Sequence, residues 1–100
     1  MLTDEQKNVI ERLSQRYIWW EPTSYSLSHP YRFVAQVMNF GGLADVVLLL
    51  NAFDEDYLRT VLISAKAGWF EPESWAYWHY KLHVTAIGQQ VPPLPKRIIE

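Results

Sequence analysis

The sequence predicts an all-α fold in which about five short helices pack as one compact bundle, followed by an extended proline-rich C-terminal tail. Apolar residues recur with a period of about 3.6 residues along most of the chain, and no β-strand alternation runs for more than a few residues. A length of 100 residues, with 49% hydrophobic and 20% charged, is enough for one hydrophobic core. We therefore predict a single helical domain over residues 1–90 and a tail over residues 91–100.

The first helix is predicted from about residue 4 to residue 16. Thr3 and Gln6 have the spacing of a capping box, in which each side chain accepts a hydrogen bond from the other residue's backbone N–H. Residues 17–20 form an apolar run that Glu21 and Pro22 close, and we expect the end of the first helix followed by an extended segment with its rings turned inward. Residues 23–28 predict a loop, because their serine and threonine hydroxyls compete for backbone hydrogen bonds.

Four further helices follow from start and stop signals. Pro30 suits a first helical position, and the glycine pair 41–42 ends the apolar stripe after it. A third helix is predicted over residues 43–53, and the acidic run 54–56 is expected to cap a fourth helix whose apolar face extends over residues 57–65. The fifth helix is predicted over about residues 72–83, with Pro72 in its first turn.

Composition and charge argue against several classes of protein. The chain has no cysteine, and its first six residues are too polar for a secretory signal, so we expect a cytoplasmic protein without disulfides. The longest apolar run, residues 46–50, is far shorter than the roughly 20 residues that span a bilayer. A net charge of −2 with dispersed basic residues disfavours autonomous nucleic-acid binding, which depends mainly on clustered lysine and arginine.

His79 and His83 are weak candidates for a metal site. Their spacing places two imidazoles on one face of a helix, as in some zinc sites. A third ligand would have to come from His29 or from a distant carboxylate such as Glu71. The competing interpretation is structural, with His79 among aromatic rings and His83 near a helix end, where a cation is favourable. We find no catalytic constellation and predict neither enzyme activity nor a cofactor.

Aromatic residues form the sharpest pattern in the sequence. The chain has five tryptophans, six tyrosines and four phenylalanines, with Trp69, Phe70, Trp75 and Trp78 close together. Tryptophan anchors small cores, is enriched in interface hot spots and stacks on single-stranded bases. We rank core packing first, a partner-binding surface second and base stacking third, because a basic groove is lacking. Arg32 is among the cations expected to stack on these rings.

Residues 16–20, 32–39, 68–70 and 74–82 resemble a family of short bacterial helical proteins of uncharacterised activity, and the resemblance covers most of residues 12–95. Members are often encoded beside nucleotidyltransferase-type toxins, in the position of an antitoxin. The resemblance implies a small helical protein that binds and restrains an enzyme partner. Arg32, Gln36 and Asn39 would form a polar edge on one helix, facing the partner or, alternatively, bonding to neighbouring helix ends.

These observations lead to one principal hypothesis and two rivals. The principal hypothesis is a non-enzymatic protein-interaction module, an antitoxin-like partner of a neighbouring enzyme, that buries aromatic side chains and the tail in an interface. One rival is a nucleic-acid-binding regulator. Against it, residues 43–58 include four acidic residues and no lysine or arginine, whereas a recognition helix should be basic. The other is a metal-dependent enzyme that uses the paired histidines. A homodimer is the alternative assembly.

Overall fold

The computed structural model describes residues 1–96, and within that range the chain is all-helical, without β-strands. This confirms the predicted fold class, although the described residues form six helices rather than about five. In chain order the helices are α1 (Asp4–Tyr17), α2 (Thr23–Ser28), α3 (Pro30–Phe40), α4 (Leu43–Ala52), α5 (Glu55–Ile63) and α6 (Pro72–Lys81). They pack into one compact body with a Cα radius of gyration of 13.6 Å.

Helix α1 begins where the sequence predicts. The Gln6 N–H donates to Thr3 Oγ1 over 3.1 Å, and the Thr3 N–H donates to Gln6 Oε1 over 2.9 Å, which completes the capping box. The helix buries Val9, Ile10 and Leu13 along one side. Full burial of side chains of this size contributes about 1.5 to 3 kcal/mol each.

Residues 23–28 form the short helix α2, so the prediction of a loop was wrong. Pro22 stands at its N-cap, and Ser14 Oγ of α1 lies 3.0 Å from Thr23 Oγ1 at its first residue. Tyr25 and Leu27 pack against the core from this segment. A helix of six residues is too short to be stable alone, so contacts with α1 and the core stabilise α2.

Helix α3 is the central element, since it packs against each of the other five helices. Six consecutive residues, 33–38, are buried, which is typical of a helix surrounded by protein on nearly every side. Pro30 occupies the first turn and Gly41 the C-cap, as predicted. Helix α4 then contributes Leu49 and the following Phe53 to the core, both fully buried.

Helices α5 and α6 also follow their predicted start signals but end earlier. The Asp54 side chain caps α5 by accepting from the Tyr57 N–H, and α5 ends at Ile63. Gly68 has a φ of +86°, a left-handed conformation that glycine adopts readily, in the connection to α6. Helix α6 ends at Lys81 rather than residue 83, because His83 itself has a φ of +58°.

Helices α3 and α6 cap each other. The Trp78 indole N–H donates to the Met38 carbonyl over 2.8 Å, and Ser74 Oγ donates to the Asn39 carbonyl over 3.1 Å, so α6 side chains satisfy carbonyls in the last turn of α3. In return, Asn39 Oδ1 accepts from the Glu71 N–H at the start of α6 over 3.0 Å. The end of one helix and the start of the other thus depend on the same few residues.

Residues 91–96 have neither helical nor strand structure and lie against the helical body. Val91 and Leu94 are partly buried on the core, and the Pro92 carbonyl accepts a hydrogen bond from the Trp75 indole over 2.7 Å. The predicted tail also includes residues 97–100, which lie outside the described residues. Across residues 1–96, no helix is long and apolar enough to cross a membrane.

Candidate protein-interaction surface

Two adjacent tryptophans project from the turn that follows α1. Tyr17 and Ile18 are buried, but Trp19 is 70% exposed and Trp20 is 49% exposed. The sequence-based prediction that all these rings turn inward was therefore wrong for the tryptophans. Ile18 is the C-cap of α1, and a turn then leads to α2. The side chains of Trp19 and Trp20 in this turn point away from the core. The two indoles contact each other edge-on, with centroids 5.5 Å apart.

Helix α4 presents a second group of exposed apolar side chains. Leu43 is 83% exposed, and Val47 and Leu50 are also exposed. The spacing of these residues places them on one side of the helix, while Leu49 packs on the core from another. Eight of the ten residues of α4 are apolar, more than one face of a helix can hold, and the fold covers only part of them.

Two open clefts connect these groups at the end of α3. One, of about 400 Å³, lies between the tryptophan pair and Phe40, and the other, of about 260 Å³, lies between Leu43 and Tyr77. Phe40 lines the first cleft and Gly41, the next residue, lines the second, so both clefts flank the end of α3. We call the exposed apolar side chains around the end of α3 and the start of α4 the apolar face. Its exposed members are Trp19, Trp20, Phe40, Leu43, Val47 and Tyr77.

An ion pair stands beside the apolar face. Arg16 Nη1 lies 2.7 Å from Asp45 Oδ2, and the Tyr17 hydroxyl donates to the same oxygen over 2.5 Å. The hydrogen bond from Tyr17, followed by that from Arg16, lowers the pKa of Asp45 below its usual range. Burial raises the pKa of Tyr17. The group keeps a buried carboxylate charged and anchors the tryptophan turn to α4.

The aromatic residues singled out in the sequence mostly pack in the core. Phe70, Trp75 and Trp78 are buried, and both tryptophan N–H groups donate to backbone carbonyls. These side chains offer a partner almost no surface in this fold, so the core-packing interpretation accounts for them. Trp69 is half-buried, and the Arg32 guanidinium lies over its ring at 5.6 Å, which confirms the expected cation–π contact.

The polar edge of α3 makes one contact within the helix and one with the start of α6. Arg32 Nη1 donates to Gln36 Oε1 over 2.9 Å, and Gln36 is itself nearly buried. Asn39 binds the start of α6, as described above. Asn39 therefore fits the alternative in which these residues bond to neighbouring helix ends, whereas Arg32 and Gln36 bond to each other within α3 and Arg32 also lines an open cleft.

The paired histidines are separated by the end of α6. His79 is buried with Nδ1 at 2.7 Å from the Trp75 carbonyl, and His83 lies beyond the helix in a left-handed conformation. The spacing argument assumed a helix through residue 83, and it fails because the helix ends at Lys81. Within residues 1–96, no group of three histidine, aspartate or glutamate side chains is arranged to hold a metal ion.

Sequence reasoning missed the apolar face almost entirely. The candidate residues were chosen because they cluster in the chain: Trp69, Phe70, Trp75 and Trp78. They cluster because two of them pack from α6 and the other two lie in the segment just before that helix. The signal that was available lies at Trp19 and Trp20, where Pro22 ends the run shortly after α1. Two large rings in so short a turn are difficult to bury together.

The chain was compared with models of protein families, with curated proteins and with solved structures, and none of the three comparisons finds a match.

Proposed function

We propose that this protein is a non-enzymatic protein-interaction module and that the apolar face is its docking surface for another protein. The resemblance noted in the sequence indicates the partner class, an enzyme of the nucleotidyltransferase toxin type, with this chain as its antitoxin-like regulator. Exposed Trp19 and Trp20, which share a cleft with exposed Phe40 at the end of α3, are the observation that carries the proposal. Tryptophan is the residue type most enriched in interface hot spots, and exposed apolar patches often mark binding sites.

The geometry of the tryptophan turn favours a protein partner. The indoles hold each other at 87°, so docking would immobilise them with a smaller loss of side-chain entropy than two independent rings require. The two clefts are lined mainly by apolar and aromatic side chains, which suits the apolar side chains of a protein partner. The residues that form the face are uncharged, and Arg16 at its edge is paired with Asp45, so the phosphate backbone of a nucleic acid would find little charge there.

The proline-rich segment is a second element of the proposal. We keep the expectation that residues 91–100 form an extended tail, and Pro92 and Pro93 are exposed. Proline-rich extended segments are recognised by aromatic-lined grooves at low entropic cost, because their conformation is already restricted. The tail would add contacts to those of the apolar face.

Two matched double variants test the apolar face. Trp19→Gln with Leu43→Gln removes two apolar side chains from the face, and Ile63→Gln with Ile87→Gln removes two equally exposed apolar side chains elsewhere. Because all four positions are exposed, each substitution is expected to change the free energy of unfolding by no more than about 0.5 kcal/mol. Circular dichroism establishes that both variants are folded before their binding is compared.

The binding measurement is affinity purification from the native bacterium, with mass spectrometry of the retained proteins and light scattering of the complex. Wild type and the Ile63/Ile87 control should retain one stoichiometric enzyme, and the Trp19/Leu43 variant should lose it. Equal retention by both variants would show that the apolar face is not the docking surface. Recovery of a homodimer alone, dissociated by the face variant, would make this surface a self-association site and refute the regulatory role.

A further inference from the structure

Another open cleft, of about 610 Å³, lies between the start of α3 and the connection from α5 to α6. Arg32, Ser28 and His29 line it from the side of α3, and Ser64, Lys66 and Trp69 line it from the connection. We call it the basic cleft. None of its lining residues is acidic, although the chain as a whole carries a net charge of −2. The basic cleft therefore concentrates positive charge in an otherwise slightly acidic protein.

Arg32 has no carboxylate partner among residues 1–96 to balance its positive charge. Its guanidinium is half-buried, and among residues 1–96 its hydrogen bond goes to the neutral oxygen of Gln36 and not to a carboxylate. Burial lowers the pKa of Arg32, in keeping with the loss of water around the charge. Charged groups removed from water are normally paired, and an anion is the partner that a guanidinium fork binds best.

Further residues with donor groups line the same region. Lys66, Ser28 and Ser64 are among the lining residues of the basic cleft. Helix α3, 11 residues long, also begins there, and no side chain caps its first turn. Pro30 has no N–H, so the first turn offers the N–H groups of Tyr31 and Arg32, and these together with the positive end of the helix dipole favour an anion. Several donors of different types suit phosphate, whose oxygens accept many hydrogen bonds.

The size and walls of the basic cleft indicate more than an inorganic ion. Its volume falls within the range of about 300 to 1,000 Å³ that is typical of sites for small organic ligands. Three aromatic rings contribute to its walls, those of Tyr25, Tyr31 and Trp69. Aromatic walls beside cationic groups suit a ligand that has a planar ring and an anionic group.

We infer that the basic cleft binds a small phosphate-bearing ligand with a planar ring, the phosphate held by Lys66 and Arg32 and the ring packed against Trp69. This site is distinct from the apolar face and does not depend on the proposed protein partner. A nucleoside monophosphate has the required chemistry and serves as the first probe.

Isothermal titration calorimetry at low ionic strength with the full chain tests the inference. The three probes are a purine nucleoside monophosphate, the corresponding sugar phosphate without the base, and the nucleoside without the phosphate. The nucleoside monophosphate should bind more tightly than either fragment. Equal affinity for the sugar phosphate would refute the role of the ring, and equal affinity for the nucleoside would refute the role of the phosphate. No saturable binding of any probe would overturn the inference.

Lys66→Gln and Lys81→Gln form a matched pair, because both lysines are exposed and only Lys66 lines the basic cleft. Loss of one hydrogen bond to a charged group should weaken nucleotide binding by about tenfold in Lys66→Gln. Lys81→Gln makes the same change in net charge and should leave binding within about twofold of wild type. Equal weakening by both would show that the ligand senses only net charge.

Arg32→Lys supplies a second measurement at the guanidinium. It keeps the positive charge but removes the planar fork, so we expect weaker nucleotide binding with an unchanged far-ultraviolet circular dichroism spectrum. Wild-type affinity in this variant would exclude Arg32 from the phosphate site. Loss of the protein partner in the Trp19/Leu43 variant, with nucleotide affinity retained, would show that the two proposals stand independently.

Discussion

Replacing Trp78 with phenylalanine should lower the free energy of unfolding by about 2 to 4 kcal/mol. Trp78 is 3% exposed, and its indole N–H donates to the Met38 carbonyl over 2.8 Å in a buried site. Phenylalanine leaves that carbonyl without a donor, which costs about 1 to 3 kcal/mol. The smaller ring also loses packing contacts worth about 1 kcal/mol, a fraction of the 3 to 5 kcal/mol for truncation of tryptophan to alanine.

Urea unfolding followed by far-ultraviolet circular dichroism measures this loss without relying on the indole that is removed. Trp19→Phe is the control, because it makes the same chemical change at a position that is 70% exposed. The control should change the free energy of unfolding by no more than about 0.5 kcal/mol. In both variants the slope of the unfolding free energy against urea concentration should equal that of wild type. The reasoning is refuted if Trp78→Phe loses less than about 1 kcal/mol, or no more than the control does.

Two further predictions concern stability. Gly41→Ala should destabilise the protein by about 1 to 3 kcal/mol, because the new Cβ would lie 2.5 Å from the Val37 carbonyl oxygen. Gly42→Ala should be nearly neutral, because its Cβ would meet nothing within 4 Å. Equal thermal unfolding midpoints for the two variants would contradict this. The pKa of Asp45 is lowered in the folded state. Its contribution to the free energy of unfolding is therefore present above the unfolded-state pKa of 3.8 and is lost as pH falls through the folded-state pKa. Removing the largest cause by Tyr17→Phe should make the variant less stable than wild type at neutral pH, and the two curves of unfolding free energy should converge below pH 3.8; a difference that does not change with pH would argue against this linkage.

Helix starts could be predicted from the sequence because they depend on local chemistry. The capping box at Thr3, Pro30 in a first turn, Asp54 at an N-cap and Pro72 in a first turn all act on backbone groups a few residues away. Such signals operate whatever the rest of the chain does. Helix ends were less accurate, as α6 shows by stopping at Lys81.

Helix α2 could not be predicted, because the reason for it lies outside its own residues. Serine and threonine favour a loop locally, but Tyr25 and Leu27 pack on the core and Thr23 meets Ser14 of α1. Tertiary contacts of this kind override local propensity. They are visible only once the position of α1 is known.

The apolar face was missed for a related reason. Periodicity shows that a helix has an apolar side but not whether another element covers it, and α4 has apolar residues on more than one side. Leu49 is covered and Leu43 is not, although both are leucines on the same helix. The exposed tryptophans likewise depend on how the turn after Ile18 directs the chain.

The mutual capping of α3 and α6 determines how the protein can open. A carbonyl of Asn39 and an amide of Glu71 each lose their partner when the two helices separate, so neither helix end stays satisfied alone. Local unfolding of the C-terminal helix is thereby tied to fraying of the central helix, and the two form one cooperative unit. The amide proton of Glu71, which donates to Asn39, and amide protons in the last turn of α3 should exchange with deuterium at a common opening free energy. Stepwise release of the C-terminal part of the bundle is then an unfavourable route to proteolysis.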